Sequence, residues 1–338
     1  MGDRAVLARI RRTRPPRRHR QLRLPQSKVR RTERSEALRS VLRWRLAIGA
    51  LLIAALAGIC WLDAHAQRGG AYLAALAAVA ALLAAGEMLR LGRRRGIQAS
   101  ASSAYVAAVM PVAFSAMPVF FPQLQFNLAL GNLGWLALGV TLALMDAFIS
   151  EMRRYQAPGH AAAGVAHLAV MVLYVGGLVG MLVQLRIVMP PTMVAGWSGL
   201  FPLLSMIATV KLSDTCQYFV GRSAGRRKLA PLISPGKTWE GAVGGILVAT
   251  LAAAGGLTWI ARGGFDAPYF AAACVYALTV AIAGLFGDLG ESLLKRDAGV
   301  KDSSEWLPGF GGVLDLLDSI LFAGPVAYLW WVSGALEY

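Results

Sequence analysis

Residues 287–319 read GDLGESLLKRDAGVKDSSEWLPGFGGVLDLLDS. The stretch lies between two almost purely apolar segments, yet it holds five Asp, two Glu, two Lys and one Arg. Asp288, Glu291 and Ser292 end the segment before it, and Asp315, Asp318 and Ser319 open the one after it. Carboxylates at a membrane boundary are costly to keep there and by default mark a functional site. The rest of the chain reads as a scaffold for this stretch and for a second polar one, residues 211–241.

The 338-residue chain is 57% hydrophobic and 15% charged, against about 25% charged residues in a soluble domain. Apolar runs of about 20 residues recur along it. The pattern predicts an all-α polytopic membrane protein with about nine transmembrane helices: 44–62, 71–90, 102–122, 126–149, 162–185, 193–212, 240–261, 267–287 and 312–333. Three regions are expected: a basic tail over 1–43, membrane helices over 44–200, and a catalytic membrane region over 201–338.

The net charge of +16 sits mainly in the tail. Residues 1–45 hold sixteen Arg or Lys against Asp3, Glu33 and Glu36. The tail has no aromatic residue before Trp44 to stack on bases, so the reading is cytoplasmic retention beside anionic lipid, with no nucleic acid as partner. No cleavable signal is evident, because the first long apolar run begins near residue 44. Cys60, Cys216 and Cys274 are widely spaced and form no CxxC, which suggests neither zinc nor a disulfide framework.

Loop charges fix the expected topology. With the tail inside, loops 91–101, 150–161, 213–239 and 288–311 face the cytoplasm and carry most of the Arg and Lys outside the tail. The active site should then face the cytoplasm and the C-terminus the outside. Short loops and the absence of organelle signals point to a cell inner membrane.

In 211–241, Asp214 and Tyr218 are four apart and share a helix face if the sixth span continues. Gly221, Arg222, Gly225, Arg226, Arg227 and Lys228 follow, then Ser234-Pro235-Gly236 as a turn, then Lys237 at the start of the next span. Guanidinium groups fit phosphate oxygens, and a helix N-terminus favours an anion. Gly236-Lys237-Thr238 is not a P-loop, because Pro231 stands where that motif needs Gly. A basic loop that only fixes topology remains an alternative.

In 287–319, Asp288, Glu291, Ser292 and Lys295 follow i, i+3, i+4, i+7 spacing, and Asp315, Asp318 and Ser319 follow i, i+3, i+4. Two such faces meeting would bring up to four carboxylates together, which need a cation to stay ionised. Mg²⁺ is the hard divalent ion such oxygens suit. Lys295, Arg296 and Lys301 could balance charge or hold phosphate. An internal ion-pair network, or a cation path, are the alternatives. Glu87 and Asp146 lie near helix ends, where Glu87 either faces the site or snorkels to water. His167, alone in an apolar span, reads as a packed histidine.

Taken together, the two stretches resemble the phosphatidate cytidylyltransferase (CDP-diacylglycerol synthase) family. Ser292, Lys295, Arg296, Lys301, Asp302, Pro308, Gly309, Gly311, Gly312, Asp315 and Asp318 match its C-terminal signature. Asp214, Tyr218, Gly221, Arg222, Lys228, Leu229, Ala230, Pro231, Ser234, Pro235, Lys237, Thr238, Trp239, Glu240 and Gly241 match its upstream block. Phe310 stands where the signature has His, and Leu316 where it has Arg.

The resemblance implies that CTP and phosphatidate, a membrane lipid, give CDP-diacylglycerol and pyrophosphate. It assigns Asp288, Asp315, Lys237 and Lys295 to catalysis. Arg222, Lys228, Ser234, Arg296, Lys301 and Tyr218 would bind substrate. Asp214, Asp288, Asp315, Asp318 and Glu291 would hold Mg²⁺, with room for a second cation. A homodimer is a compatible assembly. Transfer to another lipid phosphate, cation-coupled transport and an inactive lipid-binding scaffold stay open as alternatives.

Overall fold

The computed structural model describes residues 47–123, 131–187, 199–304 and 311–336. The basic tail, Pro308, Gly309 and Phe310 lie outside these described residues. The elements are α1 (Ala47–Ala64), α2 (Ala71–Arg94), α3 (Ala101–Ser115), α4 (Met117–Phe120), α5 (Leu133–Arg154), α6 (Ala161–Val170), a π-helical segment (Met171–Gly177), α7 (Leu178–Ile187), α8 (Leu200–Ala224), β1 (Lys228–Ala230), β2 (Ser234–Thr238), α9 (Trp239–Arg262), α10 (Ala267–Asp297) and α11 (Val313–Val332).

The chain is an all-α polytopic membrane protein whose described strands form one small hairpin. Among the described residues seven helices are long and apolar enough to cross a membrane: α1, α2, α5, α6 through α7, α9, α10 and α11. The two other expected spans fall on helices that differ from these. The third is the 15-residue α3 followed by α4, and the sixth is α8, which carries Lys211, Asp214 and Arg222. The fourth span begins in undescribed residues, and its helix runs later than expected, to Arg154.

Two expected loops are shorter than the charge pattern suggested. Residues 213–224 continue α8, and residues 288–297 continue α10 to a length of 31 residues. Neither segment contains a proline, and hydrogen bonding within a helix does not depend on side-chain polarity. Both helices therefore run on past their apolar stretch.

Small residues set the packing. A Cβ at Gly241 would stand 2.8 Å from the Gly221 Cα, so α8 and α9 cross at backbone distance. Gly176, in the π-helical segment, passes the α3 backbone as closely, with a Cβ position 2.5 Å from the Ala107 carbonyl. Of the two principal apolar cores, one gathers residues of α2, α3, α5 and α6–α7, and the other residues of α1, α8, α9 and α10. The last helix belongs to both, giving Leu314 and Leu321 to the first and Ile320, Ala323 and Trp331 to the second.

Polar contacts pair the loops by end. At one end Arg95 forms an ion pair with Asp297, and Arg296 Nε donates to the Ile233 carbonyl at 3.2 Å. At the other, buried Asp63 accepts the N–H groups of Gly70, Tyr72 and Leu73 and pairs with Arg186 at 2.8 Å. Arg68 donates to the Phe120 carbonyl at 2.9 Å there as well. Loop 91–101, the 226–238 hairpin region and the end of α10 thus gather at one end of the bundle.

Candidate functional site

The continuation of α8 puts Asp214, Gln217, Tyr218, Gly221 and Arg222 at helical spacing along one side. The chain then turns through β1 and β2, an antiparallel pair with Ala230 opposite Ser234 and Lys228 opposite Thr238. Ser234, Pro235 and Gly236 are strand residues rather than the expected turn; the turn lies one tripeptide earlier, at 231–233. Pro235 fits because a two-stranded hairpin has only edge strands, where a missing N–H costs no ladder bond.

Thr238 ends β2 and caps α9, its Oγ1 accepting the Gly241 N–H at 3.1 Å. Glu240 reaches back to the N–H groups of Arg226 and Arg227 at 3.0 and 3.1 Å. These bonds fix the basic loop against the start of α9 and bring Lys237 to α10. Lys237 Nζ lies 2.7 Å from Asp288 Oδ2.

The result is a cavity of about 370 Å³ between α8, β2, α9 and α10. Asp214, Tyr218, Arg222, Lys237, Thr238 and Asp288 line it. Arg222 Nη1 donates to the Tyr218 hydroxyl at 2.9 Å. Next to it, on α11, Ser319 Oγ stands 3.1 Å from Asp214 Oδ2 and 3.0 Å from Asp318 Oδ1. Lys211 Nζ donates to the same Ser319 oxygen at 3.1 Å. Asp318 also accepts its neighbour's N–H, from Ser319.

The other carboxylates form a separate group. Buried Lys295 bridges Glu291 and Asp315, its Nζ 2.5 Å from Asp315 Oδ1. Asp315 Oδ2 accepts the Gly312 N–H at 2.8 Å, the Ser303 N–H at 3.0 Å and the Ser303 hydroxyl at 2.5 Å. Glu87, from α2, accepts the N–H groups of Val313 and Leu314, each at 2.9 Å, and lies 2.8 Å from Ser303 Oγ. Two carboxylates therefore satisfy N–H groups at the start of α11, which would otherwise lack partners.

The expected meeting of four carboxylates is thus divided. Among the described residues no three of His, Cys, Asp or Glu are placed to hold a metal together. Asp214 and Asp288 line one cavity and suit Mg²⁺, which commonly uses one or two carboxylates plus substrate phosphates. Asp315 and Glu291 do not fit that role in this arrangement, because Asp315 is engaged by Lys295, Ser303 and Gly312 and fully buried Glu291 faces Lys295.

The residues expected to meet substrate are divided as well. Lys237, Arg222 and Tyr218 are in the cavity. Lys228 and Ser234 are on the hairpin, outside the residues that line it. Arg296 ties the end of α10 to the hairpin turn and to the Val300 carbonyl. Lys301 lines a different cavity, beside α2.

Of the two alternatives, Glu87 faces the 287–319 stretch rather than snorkelling, but it meets Ser303 and the start of α11, which it caps, and not the Asp288 cavity. A buried acid inside an apolar span was the signal, but its partners are 216 to 227 residues away. Gln217 and Lys211, each one turn from Asp214, were not among the residues expected at the site; Lys211 donates to Ser319 and Gln217 lines the cavity. His167 is packed as expected, with its ring against Gly92 of α2.

The sequence profile described as the cytidylyltransferase family matches residues 44–333. The phosphatidate cytidylyltransferase of Haemophilus influenzae is 40% identical over 129 residues, 38% of this chain and 45% of that one. The phosphatidate cytidylyltransferase of Brucella suis is 44% identical over 135 residues, 39% of this chain and 47% of that one. An uncharacterized protein, YnbB of Escherichia coli, is 38% identical over 143 residues, 42% of this chain and 45% of that one. The chain spans about half the length of the curated relatives it matches. With the profile covering all the helices that build the cavity and the cap of α11, this chain belongs to the cytidylyltransferase family.

Proposed function

We propose that this protein is a phosphatidate cytidylyltransferase that makes CDP-diacylglycerol and pyrophosphate from CTP and phosphatidate. The observation that carries this reading is the cavity in which Arg222 and Lys237 stand with Asp214 and Asp288. It pairs cations for phosphate with carboxylates for a divalent ion, at the end of the bundle where charged loops gather. The names of the Haemophilus and Brucella relatives agree with it.

In this reaction an oxygen of the lipid phosphomonoester attacks the α-phosphorus of CTP. The bond from that phosphorus to the bridging oxygen breaks, and pyrophosphate leaves with the electron pair. A phosphomonoester has a second pKa of about 6, so the nucleophile is ionised at neutral pH and needs no general base. Phe310 in place of a histidine is compatible with that chemistry.

The chain's own residues supply positioning and charge. Lys237 leaves Asp288 to bind triphosphate, and Arg222 turns from Tyr218 to do the same. Asp214 and Asp288 would hold Mg²⁺, with Asp318 the candidate for a second cation. When bound, the ion neutralises charge on the transferring phosphates. Lys295, Asp315 and Glu291 act as positioning residues: they hold the start of α11, and through it Asp318 and Ser319.

The same proposal places the protein in a cell inner membrane with nine crossings, its N-terminus and cavity on the cytoplasmic side and its C-terminus outside. The test uses the purified full chain in detergent with phosphatidate, labelled CTP and Mg²⁺. CDP-diacylglycerol and pyrophosphate should appear together. No nucleotide-lipid product, under conditions where a family relative works, overturns the proposal.

A further inference from the structure

A second cavity, of about 730 Å³, lies between α2, α3 and residues 300–304, away from the Asp288 cavity. Its lining has two characters. Leu82, Leu83 and Tyr105 form an apolar wall, while Arg90, Arg94 and Lys301 supply three positive charges. Leu82, Leu83 and Tyr105 are each about two-fifths exposed in the isolated chain. Two carboxylates also line it. Glu87 is already committed to the N–H groups of Val313 and Leu314, and Asp302 is exposed at the rim. Among the described residues Arg94 and Lys301 form no ion pair, and Arg90 meets only Glu87, at 4.0 Å.

Cations at a helix end are commonly topology signals. That role does not require them to converge. Here Arg90 and Arg94, one turn apart on α2, face the same space as Lys301, which lies over 200 residues away in sequence. From Leu82 to Arg94 the lining covers about 18 Å of helix, apolar at one end and cationic at the other. That is the polarity of a lipid lying along α2 with its headgroup at the arginines. Guanidinium groups suit phosphate oxygens, and basic pockets between membrane helices suit lipid headgroups.

We propose that this cavity binds the phosphate headgroup of an anionic membrane lipid, with an acyl chain along Leu82 and Leu83. It is a holding site, not the reacting position. Asp288 and Lys295 are seven residues apart on α10, about 10 Å of helix, and the Glu87–Ser303–Asp315 group stands beside Lys295. Ser303 lines the cavity while bonding both Glu87 and Asp315, so an occupant touches the segment that positions α11. A free phosphate ion would share the headgroup chemistry but leave the apolar wall unused.

The inference stands beside the transferase reading, and its readout is binding rather than turnover, so either can fail alone. The full chain is placed in phosphatidylcholine nanodiscs containing a small fraction of phosphatidate with a photoreactive acyl chain, and labelled peptides are mapped by mass spectrometry. Label should fall on residues 82–94 and 300–304. The double variant Arg90→Gln/Arg94→Gln should lose that label about tenfold, since two charged hydrogen-bond donors are removed. Lys237→Met, which disables the nucleotide cavity, should keep it. Label spread evenly over lipid-facing helices of the wild type overturns the proposal, and this arm holds even if the double variant fails to fold. Equal labelling by a photoreactive phosphatidylcholine also overturns it. Complete loss of label on adding millimolar inorganic phosphate would assign the site to a soluble anion instead.

Discussion

Glu87 Oε1 accepts the backbone N–H of Val313 at 2.9 Å, joining helices that lie 226 residues apart in sequence. The bond places a buried negative charge at the positive end of α11. Its second oxygen takes the Leu314 N–H and faces Ser303. The segment that begins α11, and with it Asp315, Asp318 and Ser319, is therefore anchored on α2.

Removing that charge should loosen the last helix. Glu87→Ala leaves two N–H groups without their acceptor, and hydrogen bonds to charged groups are worth about 1.5–3 kcal/mol each. We expect a loss of about 3 kcal/mol in reversible unfolding in mixed micelles. An unchanged midpoint would show that water replaces the carboxylate at no cost.

Asp214 and Asp315 should behave differently when made Asn. Asp214→Asn removes a carboxylate facing the cavity beside Asp288, so the Mg²⁺ concentration for half-maximal activity should rise about tenfold or more. Asp315→Asn weakens the Lys295 and Ser303 contacts, so stability and kcat should fall while the Mg²⁺ midpoint stays put. A Mg²⁺ titration of each variant decides, and a large shift for Asp315→Asn would make it a ligand after all.

Lys237 and Asp288 should act as a pair. Lys237→Met and Asp288→Asn are each expected to lower kcat/KM for CTP at least about a hundredfold, the scale of losing one preorganised charge. The double variant should cost much less than the product of the two, because both belong to one unit. Multiplicative losses in steady-state kinetics would show that the two act independently.

Gly241 should tolerate no side chain. A Cβ there would meet the Gly221 backbone and the Thr238 hydroxyl. Gly241→Val should push α8 from α9, at a cost of about 1–3 kcal/mol from overpacking. The cavity walls would separate with the helices, so CTP binding measured by calorimetry should weaken as the melting temperature falls. Gly255→Val, at a position with open space around it, is the control.

The sequence by itself determined the class of this protein and where its two charged stretches lie. Apolar runs of helical length leave few ways to satisfy a backbone in lipid, so hydropathy sufficed to find the helices. Spacing along single helices was equally legible: Asp214 with Tyr218, and Asp288 with Glu291 and Lys295, lie on continuous helix because such relations depend only on residues a turn or two apart.

The tertiary structure decided which charges meet. The i, i+3, i+4 pattern on α10 and α11 could not show that Lys295 turns to Asp315 and Glu291 while Lys237 arrives from the hairpin to face Asp288. It could not show that Glu87 caps α11, or that Lys301 shares a cavity with Arg90 and Arg94. Each of these depends on the rotation and offset of one helix against another. Those are set by where glycines such as Gly221 and Gly241 let backbones touch, a relation between segments that spacing along one segment does not contain.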